Sequence, residues 1–356
     1  MKRAVPLMEQ LSGYLGCALV MGALGITSVT HGQVAPTHRA SDRPGTRALL
    51  DAHNAYPERG LWTDRLARAL STGTPVAIEQ DLYWGQTASG TFAPVVAHDD
   101  DALDGAPTLE AHFFDAIRPL MTAALLANDR ASWPLIVLNL DFKENGAPLL
   151  DAVWSLLGRH AEWLTTAPRT RTPTVREPLH VGPLLVLVGA DSAQRRRFHD
   201  DIPVHSALRA FGAMPPVPVP GKDKAARLAR TVRMSATTHI PTRADNYARW
   251  VNFPWSVVER GGQAAAGPWT AADATRLRRL VDRAHALHYL IRFYTLDGFP
   301  PAADQGWTAA YNFGSPRAVA PRWRAALAAG VDFIATDQYE AFAEQRRRVP
   351  RSPARR

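Results

Sequence analysis

Four short clusters of polar residues, each at the end of an apolar run, carry the chemistry in this sequence. "LLDAHNAYP" ends near His53, "VAIEQDLYW" holds Glu79 and Asp81, "APVVAHDDD" delivers His98, and "LNLDFKEN" holds Asp141 and Lys143. Along a strand, residues i and i+2 share a face, so Glu79 projects with Asp81, and Asp141 with Lys143. Three carboxylates gathered at one place repel one another unless a divalent cation joins them. An all-oxygen set suits one Mg²⁺ or Ca²⁺ ion, with water completing the shell. Lys143 beside that ion adds a second positive charge, and the two together make a clamp for a phosphate group. His53 and His98, with intrinsic pKa values of about 6.5, fit general acid and base roles. Phosphodiester cleavage needs this set: charge neutralisation at phosphorus and proton transfer at both apical oxygens.

Such clusters need a scaffold that collects strand ends. Apolar runs of strand type alternate with helical patterns, the arrangement of parallel β/α units. Strands are expected at 47–53, 75–82, 135–142, 183–189, 231–236, 289–294 and 331–336. Helices are expected at 61–70, 109–128, 148–164, 271–287 and 321–329. "WPLIVLNLDFKEN" is apolar on both faces until its end, as a strand inside a barrel must be. The fold class is therefore α/β, a single TIM-type (β/α) barrel over residues 43–340 with the site at the C-terminal ends of its strands. One of eight strands is not located and falls in the 200–270 region. Proline-rich stretches at 166–178, 214–224 and 261–269 separate elements and decorate one rim.

The ordered series "AHN", "EQD", "AHD" and "DFK" resembles the superfamily of PLC-like phosphodiesterases. That superfamily holds the glycerophosphodiester phosphodiesterases, the phosphatidylinositol-specific phospholipases C and the sphingomyelinase D-type phospholipases. The resemblance implies a catalytic pair His53 and His98, metal ligands Glu79, Asp81 and Asp141, and a phosphate contact from Lys143. Asp99 is then the partner that orients His98. The closing "GVDFIATDQYEAF" also resembles the last strand of the family, where a Thr-Asp commonly ends the barrel. Two departures narrow the subgroup. Asn54 stands where glycerophosphodiesterases usually carry arginine, and Asp141 where they carry glutamate. Asp-x-Lys looks more like the sphingomyelinase D branch, whereas "AHN" and the overall layout are closest to the PI-PLC-like proteins related to the altered-inheritance-of-mitochondria family.

Blander readings stand beside these. A lone buried histidine or aspartate is more often a hydrogen-bonded structural residue, and His112, His160, His199, His285 and His288 are read that way. Asp99, Asp100 and Asp101 form a solvated acidic turn whose spacing to Asp104-Gly105 does not match an EF-hand. Asp51 and Asn139 each precede a site residue by two, so they either orient His53 and Asp141 or plug the barrel lower down. Trp250, Asn252, Arg292 and Tyr294 are expected at the mouth from later strands, lining a head-group or acyl pocket or packing in the core.

The 356-residue chain has a net charge of +8, carried mostly at its ends. Arg346 to Arg356 holds six arginines and no acid, and is read with its approach as a basic disordered tail, 341–356. A near-neutral body lacks the basic stripe that nucleic-acid binding requires. Residues 1–33 read as an export signal: Lys2 and Arg3 precede an apolar segment, Leu11–Val29, with small residues after it. The rival is an uncleaved anchor, since about 19 residues can just span a bilayer. Cys17, the single cysteine, lies inside this leader, so a cleaved protein has no thiol chemistry or disulfide.

The expectation is an exported, metal-dependent phosphodiesterase acting as a monomer on a small-molecule or lipid phosphodiester. Peripheral membrane contact is compatible with it. The competing readings are a glycoside hydrolase, which leaves both histidines and Lys143 unexplained, and a secreted binding barrel without turnover.

Overall fold

The computed structural model of the protein describes residues 43–259, 263, 265–300 and 312–348. The expected leader, the last residues of the tail and part of the 261–269 loop lie outside them.

Eight parallel strands close into a barrel: β1 (Leu49–Ala52), β2 (Val76–Gln86), β4 (Ile136–Phe142), β6 (Leu184–Val188), β8 (Phe211–Ala213), β9 (Ala248–Pro254), β10 (Leu290–Tyr294) and β11 (Phe333–Thr336). Closure is direct, because β1 pairs with β11 on one side and β2 on the other. β3 (Phe92–Val96) folds back antiparallel on the long outer half of β2, making the hairpin that carries His98. β5 (Ala167–Pro168) and β7 (Ala207–Leu208) form a separate ribbon. The helices are α1 (Arg65–Ser71), α2 (Asp115–Ala127), α3 (Ala147–Arg159), α4 (Ser192–Arg195), α5 (Lys224–Thr231), α6 (Ala236–His239), α7 (Ala271–Ala286), α8 (Pro316–Ala329) and α9 (Tyr339–Arg348). Among the described residues, no helix is long and apolar enough to cross a membrane.

Strand alternation divides the apolar residues into two cores. Leu50, Ile78, Leu138, Leu140, Val186, Val251, Ile291 and Ile334 point outward and join the cluster shared with the helices. Leu49, Ala77, Val137, Leu185, Leu187, Phe211, Trp250 and Phe333 point inward and fill the barrel. Both faces of these strands are thus buried, which explains their nearly continuous apolar runs. Below the inner cluster lies a cavity of about 40 Å³, with Leu49, Val137, Leu185, Leu290 and Phe333 among its walls.

Local chemistry sets the helix ends. Thr270 and Asp273 form a reciprocal capping box on α7. Ser315 caps α8, Pro316 occupies its first turn, and Gly330 ends it at φ 82°.

Several expected boundaries need correction. The 231–236 run is not a strand: it links α5 to α6, and Asp223 and Ser235 cap those helices by accepting main-chain N–H bonds. The strands of this region are β8 and β9. β8 has only three residues and a central Gly212, whose added Cβ would lie 2.3 Å from Tyr247 Cε1. Such a strand shows no alternation to read. β9 was hidden because Arg249 and Asn252 interrupt its apolar pattern. Residues 341–348 are not a disordered tail but the body of α9, anchored by buried Phe342 and Ala343.

Candidate active site

Inward-facing positions become polar toward the C-terminal ends of the strands. Register places Asp51 beside Ala77, Glu79 beside Asn139, and Asp81 beside Asp141. Arg292 enters from β10 in register with Asn252 on β9 and Phe333 on β11. The barrel is therefore apolar below, charged in the middle and open-ended in its chemistry above.

Arg292 organises the middle layer. Its Nε donates to Asp51 Oδ2, its Nη2 to Glu79 Oε2 at 2.8 Å, and its Nη1 to Asn252 Oδ1 at 3.0 Å. Its guanidinium also lies 5.3 Å from the Tyr294 ring centre. Burial opposes its charge, but the carboxylates of Asp51 and Glu79 outweigh that and hold it protonated. Burial in turn pushes the Asp51 carboxyl up, against the pull of Arg292.

His53 stands at the end of β1, where barrel closure brings the end of β11 alongside. Its Nδ1 donates to Asp337 Oδ1 at 2.7 Å, and its Nε2 lies 3.5 Å from Glu79 Oε2. Asn54, in the left-handed region at φ 53°, donates from Nδ2 to both Asp337 oxygens at 3.2 Å. Asparagine is among the few residues that tolerate this backbone conformation. Arg65 of α1 supports the corner by donating to Asn54 O at 3.1 Å and approaching Asp337 Oδ2 at 3.5 Å. Behind Asp337, Asp297 Oδ1 accepts from Thr336 Oγ1 and from the Asp337 main chain. Burial alone lowers an imidazole pKa, but the charges of Glu79 and Asp337 reverse this and raise His53 to about 9. Burial, then the nearby Asp337 charge, raise Asp297 to about 7.

Lys143 organises the upper layer. Its Nζ lies 2.7 Å from Asp81 Oδ2 and 2.7 Å from Asp141 Oδ2. Tyr56 donates its hydroxyl to the same Asp81 oxygen at 2.7 Å, with Asn54 Oδ1 at 2.8 Å. Burial opposes the Lys143 charge, and Asp81 and Asp141 more than restore it. Burial and the neighbouring Asp141 and Glu79 charges push Asp81 up to about 8, with Lys143 pulling the other way.

The residues fit a divalent cation. Glu79, Asp81 and Asp141 each offer an oxygen within 4.8 Å of the others, and no donor among the described residues reaches the buried Asp81 Oδ1. A carboxylate oxygen kept from water without a partner is costly, and a cation is the partner this oxygen set suits. His53, Asp297 and Asp337 also bring polar atoms within 4.8 Å of one another, but these already bond to each other or to Thr336.

The structure thus joins His53, Asn54, Asp51, Glu79, Asp81, Asp141, Lys143, Arg292 and Asn252 in one neighbourhood. Asn139 is buried beside Glu79. His98 and Asp99 stand on the adjoining hairpin: Ala97 donates to Asp81 O at 3.2 Å, and His98 Nδ1 lies 2.9 Å from Asp99 Oδ1. Trp250 is not at the mouth; it is 1% exposed inside the barrel and donates its indole N–H to Val188 O at 2.9 Å. Arg292 is likewise below the mouth, 2% exposed, because its charge is matched by Asp51 and Glu79. Sequence reasoning missed Tyr56, Arg65, Asp297 and Asp337 as site residues. For Asp337 a signal existed: it follows the last strand, and closure makes that strand the neighbour of the first.

No protein-family model and no curated protein matches the chain. Among solved structures it is similar to a glycerophosphoryl diester phosphodiesterase from Parabacteroides distasonis, at 17% identity over 89% of this chain and 91% of that one, with a TM-score of 0.43. It is also similar to a calcium-dependent phosphoinositol-specific phospholipase C from Pseudomonas sp, at 14% identity over 84% and 92%, with a TM-score of 0.39. A third is a glycerophosphodiester phosphodiesterase from Agrobacterium tumefaciens, at 12% identity over 85% and 99%, with a TM-score of 0.39.

Proposed function

We propose that the protein is an exported phosphodiesterase that uses one divalent cation, Mg²⁺ or Ca²⁺, at Glu79, Asp81 and Asp141. The observation that carries this reading is the juxtaposition of two units at one barrel mouth. One is an imidazole held by a carboxylate, His53 on Asp337. The other is a three-carboxylate set, two of whose members, Asp81 and Asp141, are bridged by an ammonium group. The substrate class is a small or lipid-like phosphodiester, and nucleic acid is disfavoured by the near-neutral body.

Held by Glu79, Asp81 and Asp141, the cation would supply charge neutralisation for the phosphate and would offset the Glu79 charge that draws a proton onto His53. His53 Nε2 takes the proton of the attacking water, or of a neighbouring substrate hydroxyl, as that oxygen bonds to phosphorus. Asp337 keeps the proton on Nδ1, so Nε2 is the nitrogen presented to substrate. His98, oriented by Asp99, gives its proton to the leaving oxygen as the P–O bond breaks. Lys143 meets the non-bridging phosphate oxygens.

The test is hydrolysis of bis(p-nitrophenyl) phosphate and of glycerophosphodiesters by the full chain with added Mg²⁺ or Ca²⁺. His53→Ala and His98→Ala are each expected to lower the rate by roughly 10²–10⁴-fold, and EDTA to abolish it. Equal rates in wild type and both variants overturn the acid–base pair. Full activity on a glycoside in excess EDTA overturns the phosphodiesterase reading altogether.

A further inference from the structure

Among the described residues, Arg292 and Lys143 set their positive charges against the carboxylates of the cation centre, and they are held very differently. Arg292 is 2% exposed and tied to Asp51, Glu79 and Asn252. The Lys143 side chain is 20% exposed, and that of one of its two partners, Asp141, is 48% exposed. Its ammonium bridges Asp81 and Asp141, two of the three residues in the cation centre. From this we infer that Lys143 is a tethered competitor of the cation, and that phosphate relieves the competition by drawing the ammonium away. Cation and phosphodiester therefore bind cooperatively. This deepens the proposed function and rests on its cation centre.

The physical basis is charge sharing. An ammonium at 2.7 Å from both Asp81 and Asp141 neutralises the same negative charge that attracts the cation. Two cations on one carboxylate pair also repel each other, so the lysine weakens cation binding. Glu79 is held in place by Arg292 Nη2 at 2.8 Å, so it is poorly placed to compensate. Lys143 can move: its flexible stem carries a point charge with three donors and no fixed fork geometry. An incoming phosphate offers those donors new oxygens. Linkage then makes the effect reciprocal: the factor by which phosphate tightens cation binding equals the factor by which the cation tightens phosphate binding.

The experiment is calorimetric titration of Mg²⁺ and Ca²⁺ into the EDTA-stripped full chain, for wild type and Lys143→Met. The variant is expected to bind the cation at least about tenfold more tightly, within the usual range of coupling between sites. Saturating sn-glycerol 3-phosphate is expected to tighten cation binding more in wild type than in the variant. Equal or weaker binding by Lys143→Met, or equal enhancement by the phosphate ester, overturns the inference while leaving the cation centre standing. Binding by neither protein overturns the cation centre and the inference with it. A readout on the unaltered chain guards against misfolding of the variant. The sequence has four lysines, so the Lys143 ¹³Cε signal is resolvable in lysine-labelled protein. Cation is expected to shift it and glycerol phosphate to shift it further; a signal indifferent to both overturns the inference.

Discussion

Replacing Asp337 by asparagine keeps the shape of the residue that holds His53 and removes its charge. Glu79 and Asp337 together carry His53 from 6.5 to about 9 against the opposing effect of burial. Loss of one of the two charges should return at least about one pH unit of that rise, worth roughly 1.4 kcal/mol of preference for the imidazolium. The assay is an NMR titration of the histidine ring C–H signals between pH 5 and 10 in EDTA, with His53 assigned from His53→Gln. The same shift has a stability consequence. Because the folded pKa lies above the unfolded one, the stabilisation is fully present below about pH 6.5 and is lost as pH rises through about 9. In wild type it amounts to ~3 kcal/mol, read by urea unfolding across that range, and Asp337→Asn should flatten the slope. Turnover should fall as well, since the imidazole loses the group that fixes its tautomer. A His53 titration unchanged by the substitution refutes the reasoning, because the 2.7 Å contact could not then be setting the charge state.

Tyr56→Phe removes the hydroxyl shared by Asp81 and Asn54 and should cost about 1–3 kcal/mol in urea unfolding; no loss would show that Asp81 does not depend on it. Arg322→Met strands the buried Glu259 carboxylate, which also accepts from the Trp255 indole, and should cost about 3–5 kcal/mol. A melting temperature near that of wild type would contradict this. Gly182→Ala places a Cβ 2.5 Å from Leu164 main-chain atoms that cannot swing aside, and should destabilise by about 1–3 kcal/mol; a neutral effect by thermal denaturation would count against that close approach.

The barrel was legible where strands are long and buried on both faces, as in β2, β4 and β6, because burial on two faces produces long apolar runs. It was illegible where function or tight packing breaks the pattern. β8 is three residues long around a glycine pressed on Tyr247, and β9 carries polar residues inside its apolar run. The upper half of the site could be read from i, i+2 spacing, which places Glu79 with Asp81 and Asp141 with Lys143. Spacing could not reveal the partner of His53, since Asp337 is 284 positions away; its one signal was its place after the last strand, which closure sets beside the first. Lys143 was read as a phosphate contact, and spacing alone could not reveal that its ammonium settles between two aspartates.

The apolar plug formed by Trp250, Phe211, Leu187 and Phe333 makes the barrel a cup rather than a tube. On the proposed function, reactants and products would share one doorway, with no passage from one side to the other. If water is the nucleophile of the proposed reaction, the phosphate monoester formed carries more negative charge than the diester and would leave on the side where Lys143 stands. On that reading the departing product would slow such a vessel, and added phosphate monoester is expected to inhibit it.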